Sequence, residues 1–206
     1  MIDAPENGRK PLTAEKGVPM KKEELWARET QLTDCFCDQL TRGGYSIART
    51  PKEESQSYDI ISVEFDQVGI GSDYVLAHAF FLPAPQDDMM IHNFRVTMTV
   101  ADQVETDELR AIMLQAVNYV NFLLPIGAFV FDPSLNMLSY RRNCAMPVTM
   151  SREETLAMMG REFFNGLSMV EPFLAPLIAL KNGEIAPDQF MEAVSLMLKV
   201  RGDQLS

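Results

Sequence analysis

The sequence predicts an α+β fold whose elements follow in the order α-β-β-β-α-β-β-α(-α). Residues 21–40 carry apolar side chains at helical spacing, which predicts the first helix. Residues 59–100 then contain three segments rich in strand-forming residues. A second helical pattern, a hairpin pattern and two further helical patterns complete the chain. No internal repeat is present, so the 206 residues fit one domain.

Residues 1–20 are predicted to form a flexible or loosely packed arm, and residues 21–206 a single domain. The arm contains three prolines and two glycines without apolar periodicity, a composition that favours loops. Apolar residues spaced by seven, four and four positions predict the first helix, which Gly43-Gly44 is expected to end. These apolar residues are Leu25, Leu32, Phe36 and Leu40.

The three strands predicted next differ in how many of their faces need cover. In residues 59–66 and 94–100, apolar and polar side chains alternate, so one face of each strand is expected to be buried. In residues 74–82, by contrast, His78 is the only strongly polar side chain. Both faces of this strand are therefore expected to need cover.

The second helix is predicted to begin near Thr106 and to end at Pro125. Its apolar residues between positions 109 and 124 extend past one face, so the helix is expected to pack on two sides. Residues 129–131 and 137–140 flank a five-residue loop and predict a β-hairpin.

Two more helices complete the predicted order. Ser151 and Glu154 have the spacing of a capping box, which predicts the start of the third helix. Pro172 and Pro176 each remove a backbone donor, so this helix is expected to bend or restart there. The last helix is expected to begin at Pro187, because proline favours the first position of a helix.

Charge and composition argue against several classes of protein. The chain carries 18 Lys and Arg against 29 Asp and Glu, a net charge of −11, whereas proteins that track nucleic-acid phosphates need a basic surface. Its uninterrupted apolar runs are far shorter than the ~20 residues that cross a bilayer, and residues 1–20 lack the pattern of a secretion signal. We therefore expect a soluble cytoplasmic protein that binds neither nucleic acid nor membrane.

The cysteines and histidines predict neither a disulfide framework nor a metal site. Cys35 and Cys37 lie about 200° apart around a helix axis, and Cys144 has no cysteine or histidine close in sequence. His78 and His92 fall on separate predicted strands. We expect reduced, buried or half-buried thiols and no bound metal or cofactor, although spacing alone leaves a Cys–His pair open.

No strong catalytic signature is present, so no catalytic residue is predicted. Gly69-Ile70-Gly71 lacks the third glycine of a dinucleotide-binding loop and is interpreted as a hairpin turn. The carboxylate pairs Glu53-Glu54, Asp87-Asp88 and Glu153-Glu154 are expected to be solvated, because neighbours in sequence usually point apart. Arg141-Arg142 could bind an anion, but at the end of an edge strand a solubilising role or a salt bridge is favoured.

Apolar residues exceed what one sheet under one layer of helices needs. The chain has 14 Met, and Met fills cores as well as adaptable binding surfaces. Two explanations stay open: the C-terminal helices cover the surplus, or it forms a homodimer interface or a face on which a peptide docks. The candidate partner-binding residues lie on one face of strand 74–82 and are Tyr74, Leu76, His78 and Phe80.

Three consecutive motifs carry a resemblance to a known family. Asn118-Tyr-Val-Asn121 ends a helix, Leu124-Pro-Ile-Gly-Ala-Phe129 starts a strand, and Asp132-Pro-Ser-Leu-Asn-Met-Leu-Ser-Tyr140-Arg141 gives an Asp-containing hairpin whose returning strand carries an Arg. This stretch resembles the YbjN-like family, whose fold is that of type III secretion chaperones. The local match covers residues 109–175, and the order of elements extends it over residues 20–200.

The resemblance implies a twisted antiparallel sheet of about five strands with helices packed on one side, and commonly a dimer. Secretion chaperones of this fold bind extended segments of partner proteins on apolar patches without ATP, and the YbjN-like branch is described as regulatory. The Pro-rich arm and the extra helix from Pro187 onward depart from the chaperone pattern. The extra helix could therefore cover the face that a client would use.

Two hypotheses on function follow. The first is a non-enzymatic, chaperone-like or regulatory binding protein that acts as a homodimer and holds an extended or amphipathic partner segment through apolar contact and strand addition. The alternative is a small-molecule binder or enzyme with a pocket between sheet and helices, where His78 or His92 lies beside a carboxylate or Cys144. A deep pocket with an imidazole in hydrogen-bond reach of an acid or thiol would favour the alternative.

Overall fold

Six strands form one antiparallel sheet in the structure, a computed structural model that describes residues 19–52, 58–69, 71, 73–83 and 89–204. Within the same residues four helices accompany the sheet, and the fold is the predicted α+β class. The observed order differs from the predicted order by one additional strand. Residues 1–18, most of the predicted arm, lie outside the described residues, and Met20 pairs with Met89 through two backbone hydrogen bonds of 2.9 Å.

All four predicted helices are present, and each strand pairs antiparallel with its neighbours in the order β1-β2-β3-β4-β6-β5. The helices are α1 (Lys22–Arg42), α2 (Asp107–Leu123), α3 (Arg152–Lys181) and α4 (Pro187–Gln204). The strands are β1 (Ile47–Thr50), β2 (Ile60–Val68), β3 (Asp73–Phe81), β4 (Ile91–Ala101), β5 (Ala128–Asp132) and β6 (Met137–Pro147).

The strand that the sequence did not predict is β1. Its four residues contain one large apolar side chain, Ile47, and are too few to show an alternating pattern. Pairing with β2 and an ion pair between Arg49 and Asp34 of α1 hold β1 in place. Strand β6 is also longer than predicted, because its second half follows β4 as far as Pro147.

The described helices lie on one face of the sheet. Arg49 of β1 and Arg142 of β6 belong to one row of side chains across the sheet. Arg49 forms an ion pair with Asp34 of α1, and Arg142 forms one with Glu162 of α3, so this row faces the helices. Helices α2 and α4 contact α3 and each other, which places them on the same side. We call this side the helix face and the opposite side the outer face.

An aromatic cluster joins α1, α3 and the sheet in the core. Phe36 of α1 meets Phe94 of β4 and Phe163 of α3 edge to face, with ring centroids 6.2 and 5.7 Å apart. All three rings are fully buried. Truncating one of them to Ala would cost about 3–5 kcal/mol, so the cluster is a principal reason why α1 and α3 stay on the helix face.

Helix α3 runs without interruption from Arg152 to Lys181, so the helix does not restart at Pro172 and Pro176, and a bend at these prolines stays a prediction. Both prolines lie inside the helix and each removes one backbone hydrogen bond. Buried side chains continue at intervals of three or four residues on both sides of the prolines, as far as Leu180. Burial of this face against the sheet outweighs the missing bonds, because tertiary packing supplies most of a helix's stability.

Helix α3 is also the one described helix that is long and apolar enough to cross a membrane, with a mean hydropathy of 1.5 over an 18-residue window. Its contacts are those of a core helix, because it packs against β4, β6 and the other three helices. Its Glu162 is buried in an ion pair with Arg142 of the sheet. The fold is therefore of the kind found in soluble proteins.

The ends of the helices agree with the signals in the sequence. Thr106 caps α2 with its side chain, and Ser151 forms the predicted capping box with Glu154 at the start of α3. Helix α1 ends directly before Gly43-Gly44, and α4 begins at Pro187. Local signals thus fix where the helices begin and end.

The turn between α2 and β5 depends on Gly127, whose φ is +70°. The side chain of Tyr140, from β6, fills the space that a Cβ at position 127 would occupy. Its hydroxyl donates a hydrogen bond of 3.0 Å to the carbonyl of Ile126. Any side chain at position 127 would therefore meet both a strained backbone and a buried ring.

Replacing Gly127 with Ala is expected to lower the free energy of unfolding by about 2–5 kcal/mol. The left-handed backbone costs Ala about 1–2 kcal/mol, and the collision with Tyr140 adds about 1–3 kcal/mol. Urea denaturation followed by circular dichroism measures the loss. The matched control is Gly183→Ala, because Gly183 has a φ of +72° but open space around it. Equal losses in the two variants would contradict the role assigned to Tyr140.

Candidate functional site

The four candidate residues Tyr74, Leu76, His78 and Phe80 lie on the outer face of β3, a central strand between β2 and β4. The intervening residues of β3 are buried on the helix face: Val75, Ala77, Ala79 and Phe81. No helix of the described residues covers the outer face of this strand. The structure thus brings the four candidates together, and what they bind stays a prediction.

The candidate side chains differ in how open they are to solvent. Tyr74 is 49% exposed, Leu76 and His78 are half-buried, and Phe80 is 9% exposed. The ring of Tyr58 covers Phe80, with centroids 4.5 Å apart and planes 10° from parallel. A partner on this face would therefore touch Tyr74, Leu76 and His78, and would meet Tyr58 in front of Phe80.

His78 is held by Ser62, which lies directly opposite it on β2. The Ser62 hydroxyl oxygen and the His78 Nδ1 atom are 2.9 Å apart. Partial burial lowers the pKa of His78 below its usual value, because desolvation disfavours the imidazolium ion. At neutral pH, His78 therefore presents an uncharged ring between the apolar side chains of Leu76 and Phe80.

Charged side chains flank the candidate residues unevenly. On the β2 side Glu64 is exposed, and desolvation together with this carboxylate raises the pKa of Tyr74. On the β4 side Arg95 lies opposite Phe80, and its Nε donates a hydrogen bond of 2.7 Å to Oδ1 of Asn143. The outer face of β3 is thus a column of mainly apolar side chains with a negative flank and a positive flank.

One edge of the sheet is closed by a side chain. Asn121, near the end of α2, donates from Nδ2 to the carbonyl of Phe129 at 2.9 Å and accepts from the Phe129 N–H at 2.7 Å. Phe129 lies in β5, an edge strand, where these two groups would otherwise be open to another strand. Addition of a partner strand is therefore blocked at this point of β5.

The second histidine, His92, is fully buried on the helix face. Its Nδ1 lies 3.1 Å from Oε1 of Glu29 in α1, and its ring packs against Phe81 with centroids 5.8 Å apart. Among the described residues, His92 Nε2 has no hydrogen-bond partner. The pair ties α1 to β4, and His92 offers no exposed surface to a substrate.

A small cavity lies between α1 and the ends of β2 and β3, and Glu29 is part of its wall. Its volume is about 60 Å³, whereas sites for small molecules typically enclose about 300 Å³ or more. Lys52 and Trp26 also line the cavity, and the ammonium group of Lys52 lies 4.3 Å from the centre of the Trp26 ring. This cavity is too small to be the ligand pocket that the alternative hypothesis requires.

Cys144 lies in β6 opposite Phe94. Burial, followed by the nearby Glu162 carboxylate, raises the pKa of its thiol. A raised pKa disfavours the thiolate, which is the nucleophilic form of cysteine. The ring nitrogen that bonds in each histidine has another partner, Ser62 for His78 and Glu29 for His92, and Nε2 of His92 has none among the described residues. Within the part of the chain that the structure describes, Cys144 therefore forms no hydrogen bond with His78 or His92.

The two adjacent arginines form salt bridges on opposite faces of β6. Arg142 pairs with Glu162 on the helix face, and Arg141 lies 3.4 Å from a carboxylate oxygen of Asp132 on the outer face. The salt-bridge interpretation is confirmed. The placement on an edge strand is wrong, because β6 lies between β4 and β5.

Comparison of the chain with protein-family models, with curated proteins and with solved structures gives no match in any of the three. The resemblance to the YbjN-like family therefore stays a prediction. The features of the chain that bear on its function are the outer face and the edges of its own sheet.

Sequence reasoning missed the Tyr58 ring over Phe80 and the Asn121 cap on β5, and it placed His92 beside a carboxylate without identifying Glu29 as the partner. The signal for the cap was present, since Asn121 closes the helix before the Leu124–Phe129 motif. The other two features join residues far apart in sequence, and no local pattern indicates them.

Replacing Asn121 with Ala is expected to speed hydrogen exchange of the Phe129 amide. It is also expected to lower the free energy of unfolding by about 1–3 kcal/mol, because two hydrogen bonds of about 0.5–1.5 kcal/mol each are lost. Hydrogen exchange followed by NMR gives the exchange rate of each amide, and the slowest amides report the free energy of unfolding of the whole protein. The Val130 amide points toward β6 and is the internal control. Unchanged exchange at Phe129 would show that Asn121 does not protect this edge.

Replacing His78 with Gln is expected to flatten the pH dependence of stability below about pH 6.5. The pKa of His78 is lowered in the folded protein, so the unfolded chain binds more protons in the window between the lowered pKa and the usual one. Wild-type stability therefore falls as the pH drops through that window. Urea denaturation at a series of pH values, with wild type and variant side by side, measures the difference. Parallel curves would rule out a contribution from His78.

Proposed function

We propose that this protein is a non-enzymatic binding module, chaperone-like or regulatory, that acts in the cytoplasm as a homodimer. Its partner is a protein or peptide, of which it holds an extended or amphipathic segment on the outer face of β3. The observation that carries the proposal is the open apolar column of Tyr74 and Leu76 on a central strand whose other face is sealed by helices.

The four helices of the described residues, which could have covered the surplus apolar surface, pack on the other side of the sheet. Helix α4 packs on α2 and α3, so the extra C-terminal helix does not lie over β3. A central strand that leaves a large aromatic ring half exposed at Tyr74 has apolar area to bury against something else. This supports docking of a second polypeptide on the outer face.

The shape and charge of the column favour an amphipathic segment over a globular surface. Four alternating positions of a strand, from Tyr74 to Phe80, extend over about 20 Å, which equals the length of about four helical turns. The flank at Glu64 favours basic side chains on the partner, and the flank at Arg95 favours acidic ones. The segment that fits best thus carries an apolar stripe with opposite charges along its two borders.

Docking across the face is favoured over extension of the sheet at β5. The Asn121 side chain occupies the backbone groups of Phe129 that a new strand would need. Side-chain contact with β3 requires no free backbone groups, because the backbone of a central strand is already paired on both sides. The proposal therefore rests on side chains of the outer face.

Replacing Tyr74 and Leu76 together with Ser is expected to weaken the binding of an apolar peptide at least tenfold. Selection of displayed random 12-residue peptides on the wild-type protein supplies the probe, and fluorescence anisotropy measures its affinity. Loss of two apolar contacts of roughly 1 kcal/mol each accounts for a change of this size.

The matched control for peptide binding is Leu196→Ser, which removes an exposed apolar side chain from α4. It is expected to change the affinity less than twofold, and circular dichroism verifies that both variants stay folded. Equal weakening in both variants, or failure to select any peptide, would count against docking on the outer face.

A further inference from the structure

A second exposed apolar surface lies on α2, away from the outer face of the sheet. The buried side of α2 carries Met113, Ala116, Val117 and Val120. The opposite side exposes Leu114 by 45% and Phe122 by 87%, with the exposed Asn118 between them. Their four-residue spacing places all three on one ridge of the helix. We call Leu114, Asn118 and Phe122 the α2 ridge.

Phe122 has no evident role within the subunit. It has the largest exposed fraction among the exposed large apolar side chains of the described residues. Ile126, just beyond the end of α2, is 38% exposed and extends the same apolar end of the helix. Leaving such rings in water is unfavourable, so the α2 ridge is expected to be covered in the working protein.

The α2 ridge belongs to a stretch of chain without charge. From Ala111 to Phe131 there is no Asp, Glu, Lys, Arg or His over 21 residues, in a chain with 47 charged residues (18 plus 29). Two copies of a protein with a net charge of −11 repel each other over most of their surfaces. They can approach without burying like charges where carboxylates are absent, which makes a second copy the occupant that the α2 ridge suits best.

We infer that two copies of this chain associate through the α2 ridge, with the two helices antiparallel about a two-fold axis at Asn118. This inference rests on the homodimer in the proposed function and assigns its interface. In this arrangement Leu114 of each copy meets Phe122 of the other, as the self-complementarity of a two-fold interface requires. The two Asn118 amides meet on the axis, where each can donate to the oxygen of the other.

The polar residue at the centre gives this interface a single register. An Asn within an apolar helix contact is satisfied only when it meets another polar group, so sliding by one turn would bury it against Leu114 or Phe122. The ridge spans nine residues, from position 114 to position 122, and its ends lie about 12 Å apart along the helix. Two ridges of this length, extended by Ile126, form a small interface. We therefore expect a dissociation constant of the dimer in the micromolar range.

In this arrangement the α2 ridge forms the dimer and the outer face of β3 binds the partner. Helix α2 lies on the helix face side of β5, whereas Tyr74 and Leu76 lie on the outer face of β3. A dimer through the α2 ridge therefore leaves both outer faces open. One dimer then offers two docking columns, which raises the apparent affinity for a partner that carries two matching segments.

Cross-linking of Asn118→Cys tests the axis directly. Only cysteines close to a two-fold axis meet their own copies. Mild oxidation of Asn118→Cys at about 20 µM chain is therefore expected to give at least about five times the yield of disulfide-linked dimer that the control variant gives. The control is Ala111→Cys, an exposed position on the same side of α2 that lies about 10 Å from the axis, hence about 21 Å from its counterpart. The unsubstituted chain, with its three native cysteines, sets the background. Equal yields from positions 118 and 111 would overturn the inference.

Light scattering after size exclusion provides the second measurement. The double variant Leu114→Ser/Phe122→Ser is expected to be monomeric at tens of micromolar and to keep its thermal stability per subunit, because both side chains are exposed. The outer-face variant Tyr74→Ser/Leu76→Ser is expected to remain dimeric.

The possible outcomes separate this inference from the proposed function. A wild-type monomer at these concentrations would overturn both the interface and the homodimer, whereas peptide docking on the outer face would still be judged by its own affinity measurement. A dimer lost in the outer-face variant and kept in the α2 variant would overturn the α2 assignment alone. If the outer-face variant loses peptide binding and remains a dimer, the result would support separate surfaces for peptide docking and for dimerisation.

Discussion

The packing of α3 across β4 and β6 is the contact on which the rest of the molecule depends. Helix α3 contacts the sheet and each of the other three helices, and Phe163 within it joins Phe36 of α1. Because every described helix gathers around α3, one face of the sheet is sealed and the other is left to its own side chains. The apolar column at Tyr74 and Leu76 is a direct consequence of this one-sided arrangement.

Buried polar pairs fix how the helices sit on the sheet. Glu162 of α3 is paired with Arg142 of β6, and Glu29 of α1 lies within hydrogen-bond distance of His92 of β4. Leaving a buried polar group without its partner is costly, so each pair disfavours sliding of its helix along the strands. The same pairing holds the carboxylates of Glu162 and Glu29 against the sheet.

Local sequence patterns predicted most of the fold and little of the site. Strands β2 and β4 and the caps at Thr106 and Ser151 follow from spacing alone, because alternation and capping are properties of neighbouring residues. Strand β1 lacks that pattern and exists through its pairing with β2, and α3 continues past Pro172 because of packing. The candidate residues were placed on one face correctly by their two-residue period. That Tyr58 covers Phe80, or that Glu29 meets His92, depends on contacts between distant parts of the chain.

The hydrogen bonds between Asn121 and Phe129 have a consequence for how the protein behaves at high concentration. A sheet edge with free amides and carbonyls is a template on which further chains can stack into fibrils. By imitating the next strand with a single amide group, Asn121 interrupts that template at Phe129, the second residue of β5. The protein's own side chain thereby hinders extension of the sheet at this edge. Apolar side chains can then stay exposed elsewhere on the molecule without further chains adding to the sheet at β5.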